Sequence, residues 1–405
     1  MKRLKDFFII IYLAVFVSLT ANAQAQSQNS PKDDAALDSI SISLLTCSPG
    51  SEVWSLYGHT AIRFQDPNHG MDLAVNYGMF NFRQKYFILR FVFGLTDYEM
   101  GIEPFQLFVS EYAQSGRGVI EQRLNLTNAE KMAIATAISK NYEPANRTYR
   151  YNYFYDNCTT RARDILVNHI NGHVEYAHDN CQTSYRQMIH QWNAQHRWAR
   201  FGNDLLLGFK ADSPTDQEQQ QFLPDTLRKD FASAVIIDPT GARRPLVLST
   251  FEVLKPNSTS AEESDVWETF SPSLLLSIAC ALVILLSLVE WKRRKPFWLV
   301  DAILLTLDGL AGFILLAMVF SQHPTVNLNL QILLLNPLSI IFAYVTIRQQ
   351  IKGYCHWYWK ALFVFVILFF LGNIFQEYAE GMNILALTLM VRCLVNIRTL
   401  NTIRK

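Results

Sequence analysis

Five apolar runs crowd the last third of this 405-residue chain, at roughly 272–290, 298–320, 331–347, 360–376 and 382–397. A helix needs ~20 apolar residues to cross the hydrocarbon layer, because its backbone must satisfy itself there. The first, second and fourth runs read as clear spans. The third and fifth are short, and fit either a span or a re-entrant or interfacial segment. Charge placement orients them. Lys292, Arg293, Arg294 and Lys295 follow the first run, Arg348, Lys352 and Lys360 separate the third from the fourth, and Arg398, Arg404 and Lys405 close the chain. The connections Ser321–Leu330 and Glu377–Gly381 contain no Lys or Arg. Basic loops stay on the cytoplasmic side, so the polar region before residue 271 faces outward and the C-terminus inward. Trp357, Tyr358 and Trp359 fit an aromatic belt at the inner surface.

The other end of the chain agrees. Lys2, Arg3 and Lys5 precede a short apolar stretch, Phe7 to Leu19, and Ala21-Asn22-Ala23 offers small residues for cleavage. This is the pattern of a secretory signal over residues 1–23. A polar leader (24–37), an outward domain (38–252), a linker rich in Pro, Asn, Ser and acidic residues (253–270) and a membrane domain (271–405) follow. The formal net charge of +1 gives no basic surface for nucleic acid.

Within the outward domain, SISLLTC, HTAIRF and DLAVNYGMF read as strands, the last two joined through QDPNHG. Residues 127–140 read as a helix with Thr127 as its cap and Glu130 completing a capping box. The aromatic run YRYNYFY is extended and stops at Asp156-Asn157, and from Cys158 the pattern turns helical. The domain is therefore α+β, and the membrane part is an all-α bundle of about five helices.

Three cysteines lie outside the membrane, Cys47, Cys158 and Cys181, so an exported domain is left with an odd thiol. A bridge between Cys47 and Cys181 would leave Cys158 free, though spacing alone does not establish it. Cys158 opens a helix, where unpaired N–H groups and the helix dipole favour a thiolate and can stabilise an oxyanion on an attacked acyl carbon. Arg161 and Arg163 add positive charge. A nucleophilic cysteine needs a base, and His59 follows Gly58 at a strand start. Asn76, on the next strand, is the candidate to orient it. Tyr57, Tyr153, Asn157 and Thr159 are candidates for substrate or oxyanion contacts. His169, His173, His178 and Cys181 lack a compact ligand pattern, so no metal is expected. His323, Asn336 and Glu377 lie at the outward ends of spans, where polar groups are costly unless used.

GHTAIRF, followed about a hundred residues later by NYFYDNCTTRARD, resembles the permuted papain-like (NlpC/P60-type) thiol enzymes, in which histidine precedes cysteine. More closely, LLTCSPGSEVWSLYGHTAIR, NYGMFNF, YFYDNCTTRARDIL and FLPDTL resemble the periplasmic domain of the Lnb-type bacterial lipoprotein N-acyltransferases. DAILLTLDGLAGFILLAMVF and HPTVNLNLQILLLNPL are similar to that family's membrane part. The resemblance implies a multi-pass protein of the bacterial inner membrane with its catalytic domain in the periplasm. It implies acyl transfer from a membrane phospholipid to the α-amine of a diacylated apolipoprotein, with no cofactor. Carried over by position, Cys158 is the nucleophile and His59 the base, and Asn76 takes the third position by strand order. A membrane-tethered cysteine hydrolase, of peptidase, amidase or phospholipase type, and a non-catalytic envelope binding or sensor protein are the competing readings.

Overall fold

The structure, a computed structural model, describes residues 37–80, 85–177, 182–257 and 269–402. The expected signal peptide, the leader up to residue 36 and linker residues 258–268 lie outside them. The chain divides into two compact units. The first holds Met1–Lys85, Thr96–Cys181 and Asp216–Ala261, and the second holds Tyr86–Leu95, Gln182–Thr215 and Glu262–Lys405. Two segments that the sequence places in the outward domain, 86–95 and 182–215, thus cluster with the apolar helices instead.

The first unit is built on ten strands: β1 (Ser41–Cys47), β2 (His59–Asp66), β3 (Met71–Met79), β4 (Asp97–Pro104), β5 (Val119–Leu124), β6 (Thr148–Arg150), β7 (His173–Glu175), β8 (Val235–Ile237), β9 (Arg243–Pro245) and β10 (Val247–Leu254). A seven-stranded sheet runs in the order β10-β5-β1-β2-β3-β4-β6, and β7-β8-β9 form a small second sheet. The expected hairpin closes through Pro67–His69, where Asp66 accepts the Asn68 N–H and Gly70 takes a left-handed turn. Alternation then decides which side each residue serves. Ile42, Leu44, Ile62, Phe64, Val75 and Tyr77 share one core with Ala162, Leu166, Leu227 and Phe231. Leu45, Cys47, Ala61 and Ala74 share another with Phe105 and Phe108.

Helices cover both faces. In chain order α1 (Phe87–Val92) belongs to the second unit, while α2 (Phe105–Gln114), α3 (Asn128–Tyr142) and α4 (Cys158–Val167) belong to the first. The capping box of α3 forms as the sequence predicts, with Thr127 and Glu130 exchanging hydrogen bonds. The aromatic run before α4 departs from expectation. Only Thr148–Arg150 is strand, because Asn152 and Asp156 pair with each other and turn the chain. Further helices are α5 (Tyr185–Trp192), α6 (Arg197–Leu206), α7 (Gln217–Gln220) and α8 (Pro224–Ser233).

The second unit is a bundle of α9 (Pro272–Arg293), α10 (Trp298–Val319), α11 (Leu338–Ile351), α12 (Tyr358–Gly372) and α13 (Met382–Thr402). Among the described residues four segments are long and apolar enough to cross a membrane: Pro272–Arg293, Trp298–Val319, Leu330–Ile351 and Met382–Thr399. The fifth, Tyr358–Gly372, is shorter. The sequence suggests that the third and fifth runs are short, whereas it is the fourth that ends early. Gln376 leaves the helix to donate to Leu207 O at 3.1 Å and Asn329 Oδ1 at 2.9 Å. Polar groups inside the bundle are paired. Arg392 meets Glu290 and Asp301 at 2.7 Å each, all three without exposure, and Asp308 accepts the Ser339 hydroxyl. Tyr358 and Trp359 are buried, so only Trp357 is available for the expected belt.

Segment 182–215 is attached to this bundle by backbone and side-chain hydrogen bonds. Gly208 N–H donates to Thr325 O at 2.8 Å, Phe209 N–H to Leu328 O at 2.8 Å, and Asn329 Nδ2 to Leu205 O at 2.9 Å. Arg186, without exposure, spans Asp204 at 2.8 Å and Asp212 at 2.7 Å.

Candidate active site

Gly58 places His59. Its φ of +80° is a conformation that side chains other than glycine rarely adopt, and an added Cβ would lie 2.7 Å from Cys47 O. The next residue, His59, starts β2 opposite Cys47 of β1. The β2–β3 register pairs Ala61 with Asn76. By alternation His59, Asn76 and Gly78 then share one face.

His59 Nε2 lies 2.9 Å from Asn76 Oδ1. The same oxygen accepts the Gly78 N–H at 2.8 Å, which fixes it as the oxygen of the amide. An amide oxygen only accepts, so Nε2 carries the proton and Nδ1 is the nitrogen left for a second partner. Gly78 is the wall behind the ring, since an added Cβ would sit 2.5 Å from His59 Cε1.

Cys158 is the first residue of α4, and its position follows from local capping. Asn157 Oδ1 accepts the N–H groups of Thr159 and Thr160 at 2.8 and 2.9 Å, and Thr160 Oγ1 accepts the Asn157 N–H at 2.9 Å. The Asn157 amide donates to Tyr153 O and Phe222 O, each at 2.9 Å. These bonds occupy Asn157 fully and leave it buried, so it holds the helix start and has nothing left for substrate. The Cys158 N–H has no acceptor among the described residues, and it points from a helix start where a developing anion is stabilised. Thr159 is also buried. Its hydroxyl meets Thr60 Oγ1 at 3.1 Å and Cys158 Sγ at 3.8 Å. It ties the start of α4 to β2, beside the histidine.

Electrostatics distinguish the two thiols. Burial pushes the Cys158 thiol up, but the charge of His59, a hydrogen bond with it and the Thr60 N–H outweigh this. The thiol falls from 9.0 to about 7. Burial lowers His59, and the Cys158 thiolate with its hydrogen bond more than reverses that, so the imidazole is raised above 6.5. Burial pushes Cys47 up to about 12, against a hydrogen bond with Tyr112, so it stays a thiol. Among the described residues Cys47 is a free thiol, and Cys181, its expected partner, lies outside them. The Arg161 and Arg163 guanidiniums are neutralised locally. Arg161 clamps Asp156 at 2.6 and 2.7 Å, and Arg163 meets Asp164 at 2.8 Å.

Tyrosines line the thiol's surroundings. Tyr57 and Tyr153 meet edge-on with centroids 5.3 Å apart, and burial raises the Tyr153 hydroxyl well above its usual value, keeping it a donor. Tyr98 stacks on Tyr151 at 3.9 Å, and burial followed by the Cys158 charge raises its hydroxyl as well.

The remaining candidates belong to the second unit. Asn336 is buried and caps α11, its Oδ1 accepting the Leu338 N–H at 3.0 Å. His323 sits in a turn whose carbonyl receives the Asn327 amide at 2.6 Å. Glu377 is exposed, with its carboxylate 3.9 Å from His190 Nδ1. Among the described residues no group of three or more His, Cys, Asp or Glu is placed to hold a metal ion, and His178 and Cys181 lie outside them. Sequence reasoning missed Thr60, Gly78 and Tyr98. Thr60 and Gly78 stand within two residues of a recognised position, Tyr98 near none, and only the register shows that Gly78 backs the ring.

The arrangement brings together a thiol of lowered pKa, an imidazole oriented by an amide oxygen and a helix-start N–H, which are the parts a thiol nucleophile would require. Two family models match the chain. One, described as the Lnb N-terminal periplasmic domain, covers residues 26–191, and one, described as the Lnb transmembrane domain, covers residues 261–403. Together they account for about three quarters of the sequence. No curated protein and no solved structure matches it.

Proposed function

The chain belongs to the Lnb family, and from that premise we propose that it is a lipoprotein N-acyltransferase whose reaction runs through a thioester on Cys158. The acyl donor is a membrane phospholipid and the acceptor is the α-amine of a diacylated lipoprotein. The pairing of Cys158 with a His59 oriented by Asn76, in a chain matched by both family domains, carries this reading.

The Cys158 thiolate attacks the phospholipid ester carbonyl, forming a C–S bond. The Cys158 N–H stabilises the oxyanion. As the C–O bond to glycerol breaks, the His59 imidazolium protonates the leaving alkoxide, and a lysophospholipid departs. Neutral His59 then takes a proton from the incoming amine. The amine forms the amide bond and the C–S bond breaks, returning the thiolate.

A membrane-bound enzyme suits this chemistry. Each CH₂ drawn from lipid into water costs about 0.8 kcal/mol, so a free acyl chain is a prohibitive intermediate. Basic residues at 292–295, between α11 and α12, and at the chain end support an orientation with the C-terminus in the cytoplasm and the first unit in the periplasm.

The test is the intact mass of a reporter lipoprotein in cells lacking their own N-acyltransferase. Wild type should add a third acyl chain, and Cys158→Ala and His59→Ala should not. A free amine with the wild-type protein present would overturn the transferase. Lysophospholipid accumulating alongside it would favour the hydrolase.

A further inference from the structure

The six-residue helix α1 interrupts the sheet of the first unit between β3 and β4, yet it clusters with the apolar bundle. Its attachment is specific. Phe93 O, directly after the helix, accepts the Gln322 N–H at 3.0 Å, just beyond the C-terminal end of α10. This is the end of a membrane span opposite the basic 292–295 loop. The height of α1 is therefore set at the membrane boundary.

Its outer residues suit that level. Tyr86 is 75% exposed, Leu89 57% and Phe91 49%. Tyr86 precedes the helix in a left-handed conformation, φ +58°, and Leu89 lies within it. The neighbouring end of α10 has the same character, since Phe320 is 71% exposed and Val319 40%. A tyrosine at the margin and aliphatic or aromatic residues inside it are what interfacial helices present to a bilayer. Exposed apolar side chains continuous with the lipid-facing side of a span need a lipid neighbour, where water would be the alternative.

We propose that α1 is an interfacial membrane helix, and that its Leu89 and the preceding Tyr86 contact phospholipid in the leaflet at the C-terminal end of α10. That leaflet is the outer one on the orientation given above. Lipid contact is independent of whether Cys158 is ever acylated.

Photocrosslinking tests this in full-length protein reconstituted into phosphatidylethanolamine–phosphatidylglycerol vesicles. Benzoylphenylalanine is placed at Leu89, at Tyr86, and at exposed Glu111 of α2 as control. Mass spectrometry should find phospholipid adducts at 89 and 86 in at least about tenfold excess over 111. The Cys158→Ala background should give the same yields, which separates this proposal from the catalytic one. Yields at 89 and 86 equal to those at 111 would overturn it.

Discussion

Thr60 and Thr159 share a hydrogen bond of 3.1 Å, and each is the immediate neighbour of a residue assigned to chemistry, His59 on β2 and Cys158 on α4. Both side chains are without exposure. Residues 99 positions apart are thus joined where the strand that bears the imidazole meets the helix that bears the thiol.

That contact makes a coupled prediction. Thr60→Val or Thr159→Val alone takes this bond from a buried hydroxyl and should cost about 1–3 kcal/mol, whereas the double variant removes both groups and should cost less than the two single effects combined. Thermal unfolding of the three variants checks this.

Thiol reactivity should separate by pH. Cys158 is lowered to about 7, so its thiolate fraction, and its alkylation rate, should rise with a midpoint near pH 7 and fall away below it. His59→Ala removes the charge that opposes burial, so the midpoint should move up. Cys47, pushed up to about 12 and buried, should remain unmodified throughout. Alkylation followed by peptide mass analysis reads all three.

Gly78 should tolerate alanine as a fold but not as a site. Its φ is not in the left-handed region, while the new Cβ would meet His59 Cε1 at 2.5 Å. Asn76→Ala removes the oxygen that holds the same ring at Nε2. Each should slow acylation of Cys158 by about 10²-fold, the cost of a misplacement near 1 Å, with unfolding temperature little changed for Gly78→Ala. Unchanged acylation in both would remove the imidazole's orientation from the account.

Arg392 is predicted to be structural. Replacing it with Met leaves Glu290 and Asp301 buried without their cation, at a cost of about 3–5 kcal/mol. Unfolding in detergent should shift down strongly, and thiol alkylation at a permissive temperature should keep its midpoint.

Much of this was legible in the sequence because its signals are local. The capping box at Thr127 and Glu130, the strand pair around QDPNHG and the helix start at Cys158 are each set by a few adjacent residues. Apolar length likewise located the spans. What stayed hidden depends on contacts distant in sequence. The early end of α12 comes from Gln376 reaching Asn329, and the burial of Tyr358 and Trp359 from the helices around them. Gly78 acquires its role only through the register that sets it against His59. Arg161 and Arg163 read as free charge until Asp156 and Asp164 are found beside them.

The most direct test of the central claim is the mass of the Cys158 peptide from purified protein incubated with phospholipid and no lipoprotein acceptor. The account predicts one fatty-acyl mass on Cys158, removed by neutral hydroxylamine, discharged by an added diacylated lipopeptide, and absent in His59→Ala. Acceptor acylation proceeding at full rate while Cys158 never carries an acyl group would contradict it.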